Sequence, residues 1–285
     1  MNSVTLILKA ALPHRVDASA LLPENLSALS QRQIEELRLP MGRRMTRLGE
    51  WFDVQCKTTS DVQDELHLVG DCGQLDCIAQ SMTRGSLSVD GAVGQALGYR
   101  MRGGVVRVQG DSGNFAAMSM RGGRMIIEGN VGDYVGGPAR GERSGMSGGE
   151  VIVGGSAGDH LAHRLRRGTL LVRQNVGEHT ASEMVAGTLA IGGTAGNHLA
   201  IGMRRGTVWL AKAPPLPSTG FTTPRPETPS IHSLLIKHLH RLALLVAPPT
   251  EGTNVNAGGD DAAPVMRTIG DRAIGGRGEI LWWAQ

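Results

Sequence analysis

The repeating unit that decides the fold reads GVVRVQGDSGNFAAMSMRG over residues 104–122. The chain starts this unit seven times, and the interval is 19 residues except for one of 26, which contains a seven-residue insertion. The opening glycines are Gly85, Gly104, Gly123, Gly149, Gly168, Gly187 and Gly206. A fixed period of this size is typical of a solenoid, in which each unit forms one turn and stacks on the next.

The start of each unit predicts a β-strand with one buried face. The second and fourth residues after the opening glycine are apolar in every unit, as at Val106 and Val108, and a period of two indicates a half-buried strand. A G-x-x-G-x-x-x-[G/A] pattern then marks the corners, where glycine permits unusual backbone angles and close approach. We therefore predict a mainly β fold: a right-handed parallel β-helix or β-roll solenoid of about seven 19-residue coils, with a small N-terminal cap and a C-terminal helix plus tail.

Two other interpretations of this pattern are disfavoured. A phosphate-binding glycine loop should occur once, between a strand and a helix, whereas this pattern recurs in nearly every coil. A left-handed hexapeptide helix has a six-residue period, which does not divide 19 evenly.

Methionine also recurs three residues before the opening glycines, with leucine at one of these positions, and we expect these side chains to form an internal ladder rather than a binding surface. They are Met82, Met101, Met120, Met146, Leu165, Met184 and Met203.

The flanks differ from the repeats, and we expect three parts: a capping region at 1–60, the solenoid at 61–212, and a Pro-rich linker, helix and docking tail at 213–285. In the cap, strands are expected at 4–10 and 49–54 and a short helix at 33–37. Leucine spacing predicts a helix over 230–246. The adjacent Trp282 and Trp283 indicate that the tail packs on the solenoid or on another protein.

Composition limits the class of protein. No stretch approaches the about 20 apolar residues of a membrane span, and the N-terminus lacks a secretory signal pattern, so we expect a cytoplasmic protein. The net charge is only +3, and nearly all the positive residues are arginine, whose forked guanidinium suits carboxylates and phosphates.

Three cysteines are too few for a disulfide framework. We expect buried free thiols, rather than half of a metal site at Cys72 and Cys77.

The repeats resemble the C-terminal domain of the large subunit of glutamate synthase. The flanks extend a closer resemblance over nearly the whole chain, to the C subunit of formylmethanofuran dehydrogenase and that of the related bacterial formyltransferase/hydrolase complex. The residues that carry it are IEELRLPMG at 34–42, FDV at 52–54, GD at 270–271 and GGRGEIL at 275–281. Because glutamate synthase shares only the repeat, the flanks distinguish the second resemblance from the first.

The resemblance implies a scaffold subunit without its own catalytic residues. The complex would convert formyl-tetrahydromethanopterin to formate through a methanofuran-type carrier in one-carbon (formaldehyde) oxidation. Implied partners are a formyltransferase subunit, an amidohydrolase-like subunit and a dehydrogenase-derived subunit. The furan cofactor would belong to the complex rather than to this subunit alone. Alternatives are the C subunit of a tungsten or molybdenum formylmethanofuran dehydrogenase, a stand-alone β-helix carbohydrate-active enzyme, and a glutamate-synthase-like spacer module.

Three histidines occupy the same position in successive coils. His160, His179 and His198 each follow a polar residue, and side chains on neighbouring coils should lie about 5 Å apart. A metal or acid/base site is one hypothesis. We favour a structural ladder, because the preceding coils carry polar and then bulky residues at the same two positions, and we expect no metal site.

Arginines also share one register, two residues before a coil starts. A solvated face is the simpler interpretation. The candidate site is the alternative: Arg102 and Arg121, with Arg140 and Arg143 of the inserted loop, would bind an acidic neighbouring subunit or the glutamate-rich tail that methanofuran-type cofactors carry. Nucleic acid is disfavoured because the arginines are not interleaved with aromatic residues.

Overall fold

A 13-stranded sheet is the centre of the fold in this computed structural model, which describes residues 2–58, 64–214, 220–227 and 265–284. The elements of the N-terminal part are β1 (Asn2–Leu8), β2 (Val16–Asp17), α1 (Pro23–Leu26), α2 (Gln31–Glu35), β3 (Arg38–Met41), β4 (Arg44–Arg47), α3 (Leu48–Trp51) and β5 (Phe52–Thr58). The repeats contribute β6 (Glu65–Val69), β7 (Leu75–Asp76), β8 (Ser86–Val89), β9 (Val105–Val108), β10 (Arg124–Ile127), β11 (Ser147–Val153), β12 (Arg167–Val172), β13 (Thr188–Ile191) and β14 (Thr207–Leu210). The tail adds β15 (Arg225–Glu227), β16 (Val265–Gly270), a short 3₁₀ helix (Arg272–Ile274) and β17 (Gly278–Trp283).

The large sheet is mostly parallel. Strands β6 and β8 to β14 pair in parallel in sequence order, with β1 beside β6 and β17 beside β14. At one edge β5 is antiparallel to β1, and at the other β16 and β15 are antiparallel. Strands β4, β3, β2 and β7 form a second, smaller sheet. The fold is therefore mainly β, as predicted.

A second line of pairing joins the repeats away from the sheet. Single parallel bridges connect Cys72, Val93, Ser112, Val131, Ala157, Val176 and Ala195 in series. Each repeat thus contacts its neighbours at two places, and the equivalent residues stack along the molecule. We call residues 64–210 the repeat stack. Its arrangement is consistent with the predicted solenoid.

The interior of the repeat stack confirms both predicted apolar ladders. The inward residues of the strands, such as Val106 and Val108, are buried in every repeat. The ladder of six methionines and Leu165 is fully buried, at 0% exposure for each side chain. Flexible methionines therefore fill most of the interior beside the corners, and Leu165 fills the remaining position.

The C-terminal tail packs on the repeat stack, as its two tryptophans indicated. Trp282 continues the internal core, whereas Trp283 packs on the other face of the sheet. There its ring lies 5.0 Å from that of Trp209, at an interplanar angle of 82°. This second cluster explains why outward residues of the later strands are also buried; it comprises Ile152, Leu171, Ala190, Trp209, Val265, Leu281 and Trp283.

The N-terminal region agrees with the predictions only in part. Strand β1 and helix α2 lie near their expected places, and Ser30 caps α2 with a capping box to Gln33. The strand expected over 49–54 begins only at Phe52, because Leu48–Trp51 form one helical turn. The helix predicted over 230–246 lies outside the described residues, and the three-part division stays a prediction. No helix in the described ranges is long and apolar enough to cross a membrane.

Candidate functional site

One corner of the repeat stack carries a ladder of polar side chains. The Oδ1 atoms of Asn114, Asp133 and Asp159 each accept a hydrogen bond from the backbone N–H of the equivalent residue in the next repeat, at 2.9, 2.8 and 2.8 Å. These side chains satisfy backbone donors that would otherwise lack partners where the strands end. This is the physical reason why the position prefers polar residues.

The next position along the corner carries a continuous stack of rings. Successive ring centroids from Phe115 through Tyr134, His160 and His179 to His198 are 5.7, 4.5, 5.0 and 4.6 Å apart. The spacing of about 5 Å predicted for the three histidines is confirmed. We call these five residues the ring stack.

Two further groups adjoin the ring stack. The side chain of Glu178 lies beside His179 and His198, so that one ligand atom from each of the three lies within 4.8 Å of the others. His163 stands edge-on to Tyr134 and His160, and its Nδ1 is 2.9 Å from the hydroxyl of Ser182. Burial lowers the pKa of His163 below its usual value. His163 was not predicted from the sequence, although it follows His160 by three residues within the same corner.

The three cysteines are free thiols, as expected. Cys72 is buried, and burial raises the pKa of its thiol to about 12. Cys56, on the edge strand β5, and Cys77 are only half-buried. Burial still raises the pKa of Cys77 to about 11. All three thiols therefore lack the low pKa of a reactive cysteine.

The arginine register is interrupted in two repeats, and the tail places a further arginine beside its end. The backbone N–H of Arg277, in the tail, donates to the carbonyl of Arg204 at 2.7 Å, and the pairing of β17 with β14 aligns Arg277 with Arg205, one residue before the coil start. Ser147 and Val185 occupy the same register in two repeats and interrupt the row. Arg102 and Arg121 are consecutive members and are exposed.

A cleft of about 1040 Å³ opens where the inserted loop and the tail meet the last repeats. It is lined by Arg143, Arg164, Glu183, Val185, Gly202, Arg204, Arg205 and residues 274–277. Arg164 pairs with Glu183 at 2.7 Å. Within the described residues, Arg143, Arg204, Arg205 and Arg277 form no ion pair, so the cleft presents unneutralised positive charge. We call this the arginine cleft.

The four arginines predicted as a site do not converge on one point. Arg143 lines the arginine cleft, whereas Arg102, Arg121 and Arg140 are exposed and lie outside it. The structure instead brings Arg143 together with Arg204, Arg205 and Arg277. Of these, Arg277 could not be placed from the sequence, because only the pairing of β17 with β14 brings it beside Arg205.

The inserted loop is held in place by Glu142. Its carboxylate accepts hydrogen bonds from the Arg100 guanidinium, at 2.7 and 3.1 Å, and from the hydroxyl of Ser119. That hydroxyl accepts in turn from the backbone N–H of Ala139 at 2.9 Å. The hydrogen bond from Ser119, together with the positive charges of Arg100 and Arg121, lowers the pKa of Glu142. The two arginines of the loop, on either side of Glu142, are thus presented by an anchored segment.

The change Glu142→Gln should loosen the inserted loop by about 1–2 kcal/mol at neutral pH, because it removes hydrogen bonds between charged groups that are partly screened by water. Since the folded-state pKa of Glu142 is lowered, its contribution is fully present above the usual glutamate pKa of about 4.3 and is lost as the pH falls through the lowered value. Hydrogen exchange of residues 138–147 between pH 7 and pH 3 measures both effects. Glu128→Gln is the control, since its carboxylate reaches Arg173 only at 4.0 Å. Equal exchange in the two variants would contradict the anchoring role.

Comparison with known proteins identifies relatives of this chain. No family model matches it. A segment of 93 residues is 36% identical to the C subunit of the formyltransferase/hydrolase complex of Methylorubrum extorquens, covering 33% of this chain and 34% of the relative. A segment of 94 residues is 33% identical to the C subunit of the tungsten-containing formylmethanofuran dehydrogenase 2 of Methanococcus maripaludis, with the same two coverages. These matches span about a third of the length of each curated relative.

The match to a solved structure covers the whole chain. A chain in the crystal structure of the formyltransferase/hydrolase complex (FhcABCD) from Methylorubrum extorquens, in complex with methylofuran, is 32% identical with a TM-score of 0.84. The match covers 99% of this chain and 100% of that one. The chain belongs to the family of C subunits of formyltransferase/hydrolase complexes and formylmethanofuran dehydrogenases. The similarity to this solved chain therefore extends over both flanks as well as the repeats.

Proposed function

We propose that this chain is the C subunit of a formyltransferase/hydrolase complex and serves there as a non-catalytic scaffold. The observation that carries the proposal is the full-length structural match to a chain of the FhcABCD complex. This match favours the complex over a stand-alone carbohydrate-active enzyme. The complex would release formate from formyl-tetrahydromethanopterin through a methanofuran-type carrier. A tungsten or molybdenum formylmethanofuran dehydrogenase is the second candidate, favoured by the similarity to the Methanococcus maripaludis protein.

The repetitive architecture supports a scaffold. In the described part of the chain, polar and ring side chains recur from repeat to repeat and form ladders along the stack. We propose that the repeats form a right-handed β-helix over 61–212, flanked by the cap at 1–60 and the tail region at 213–285. Such a stack offers long, rigid faces for other subunits. Its partners would be the formyltransferase, amidohydrolase-like and dehydrogenase-derived subunits of a cytoplasmic complex.

We further propose that the positive surface of this subunit holds the acidic tail of the furan cofactor. The proposed contacts are Arg102 and Arg121 on the row, Arg140 and Arg143 on the anchored loop, and the arginine cleft beside them. Support comes from the concave shape of the cleft and from four of its five guanidinium groups, which form no ion pair within the described residues. A chain of carboxylates binds favourably to such a surface, and guanidinium groups can bind each carboxylate with two hydrogen bonds. The solved relative was crystallised as a complex with methylofuran.

Purification of the native assembly tests the proposed function. The chain is tagged, isolated gently from its own cells, and its co-purifying proteins are identified while formate release from formyl-tetrahydromethanopterin is assayed. We expect formyltransferase-like and amidohydrolase-like subunits together with that activity. Recovery of tungsten or molybdenum and iron-sulfur proteins would assign the chain to a dehydrogenase instead. Recovery of the chain alone, without activity, would refute the proposal.

A further inference from the structure

Three side chains of the types that ligate metal ions, from two successive repeats, lie close together at the end of the ring stack. They are Glu178 and His179 of one repeat and His198 of the next, and one ligand atom of each lies within 4.8 Å of the others. In the described residues this is the one group of three or more such side chains that comes this close. We propose that Glu178, His179 and His198 form a binding site for a divalent transition-metal ion of the Zn²⁺ class.

The three ligand atoms would need to move only a short distance towards one another to bind one ion. A tetrahedral ion with bonds of about 2.0 Å places its ligand atoms about 3.3 Å apart. The observed limit of 4.8 Å therefore leaves at most about 1.5 Å to close between any two atoms. Rotation about the last side-chain bonds of His and Glu, whose preferences are broad, provides that movement. The backbone can stay where it is.

The backbone beneath the site is fixed by its neighbours. The N–H of His179 donates to the carbonyl of Asn197 at 3.0 Å, and that of Glu178 donates to Asp159 at 2.8 Å. His179 and His198 both adopt left-handed backbone conformations, with φ of 55° and 62°. The two imidazoles lie stacked at 4.6 Å, so binding of one ion requires their side chains to rotate until a nitrogen lone pair of each ring, which lies in the ring plane, points at the ion. Binding would thus order only side chains, which keeps its entropic cost low.

The surroundings orient the carboxylate as well. The Nδ2 amide of Asn197 donates to Oε1 of Glu178 at 3.2 Å, which leaves Oε2 available to an ion. Hydrogen bonds of this kind commonly orient the ligands of metal sites. Glu178 and His198 are exposed, and His179 is half-buried, so an ion would keep an open position towards solvent or a neighbouring subunit.

The donor set selects the class of ion. Two imidazole nitrogens with one carboxylate oxygen suit Zn²⁺, Co²⁺, Ni²⁺ or Cu²⁺. Mg²⁺ and Ca²⁺ require oxygen ligands in larger number. Because the imidazoles must be neutral to bind, affinity should fall as the solution is acidified.

Titration of the untagged full-length protein with Zn²⁺, after removal of metal by a chelator, tests the site. We expect one equivalent to bind at pH 7.5, and the double variant His179→Ala/His198→Ala to lose it. The conservative variant Glu178→Gln should weaken binding about tenfold or more. Co²⁺ bound at the site should give visible d–d absorption that the double variant abolishes. Circular dichroism checks that each variant is folded.

Two control variants make the outcome specific. His14→Ala removes a remote exposed histidine, and His238→Ala/His240→Ala removes the closely spaced pair outside the described residues. Both should bind Zn²⁺ as the unmodified protein does. The proposal is overturned if the unmodified protein binds no Zn²⁺, if the His179/His198 variant binds normally, or if the His238/His240 variant alone loses the ion. Equal affinity for Mg²⁺ or Ca²⁺ would overturn the assigned class of ion.

Discussion

Replacement of Gly149 by alanine should destabilise the repeat stack by about 2–4 kcal/mol, because two independent costs add at this position. Its φ of +91° is rarely adopted by residues with a side chain. A Cβ atom would also lie 2.8 Å from the carbonyl oxygen of Gly123 in the preceding repeat. That oxygen accepts a hydrogen bond from Glu150 and cannot withdraw without breaking it. The same close approach recurs at the other opening glycines, which explains why the repeat restarts on this residue.

Gly42→Ala is the matched control for this prediction. Gly42 has a φ of +57°, and no atom lies within 4 Å of a Cβ built there. The substitution therefore carries only the backbone cost, about 1 kcal/mol. Denaturant unfolding compares the two variants, and hydrogen exchange of β10 and β11 shows whether the damage is local to the Gly149 interface. Equal losses in the two variants would show that the close contact between repeats contributes nothing.

The repeats of the fold could be predicted because their burial pattern is periodic in the sequence. Alternation at Val106 and Val108 identifies a strand in one unit, and seven occurrences identify the stack. The small sheet of β2, β3, β4 and β7 could not be predicted in the same way. Its strands have two to four residues, too few to display a period, and β2 pairs with β7 across a separation of 59 residues.

The same difference, whether or not a feature follows the repeat period, separates the candidate sites. The ring stack could be predicted because its members share one register, and parallel pairing brings equal registers together. The arginine cleft could not, because it depends on contacts that the period does not encode. Arg277 joins Arg204 across 73 residues, and the inserted loop is anchored through Glu142 to Arg100, which lies 42 residues earlier.

Neutralisation of the arginine cleft should cause the largest functional loss. Because a charge-assisted hydrogen bond contributes about 1.5–3 kcal/mol, the double variant Arg204→Gln/Arg205→Gln should weaken binding of an acidic tail on the order of a hundredfold. The expected result is loss of the furan cofactor when the native complex is purified at moderate salt. Cofactor retained per complex, measured by mass spectrometry of the extracted material, is the readout.

Two further variants decide how the positive surface is used. Arg102→Gln/Arg121→Gln should weaken retention less, because this pair lies outside the cleft. Arg107→Gln, an exposed arginine on β9, should change nothing. The salt dependence of retention should fall in the cleft variant, since fewer charges then hold the tail. Full retention in the cleft variant, with the complex intact, would show that the tail is held elsewhere; loss of a subunit instead of the cofactor would show that the cleft binds an acidic neighbour.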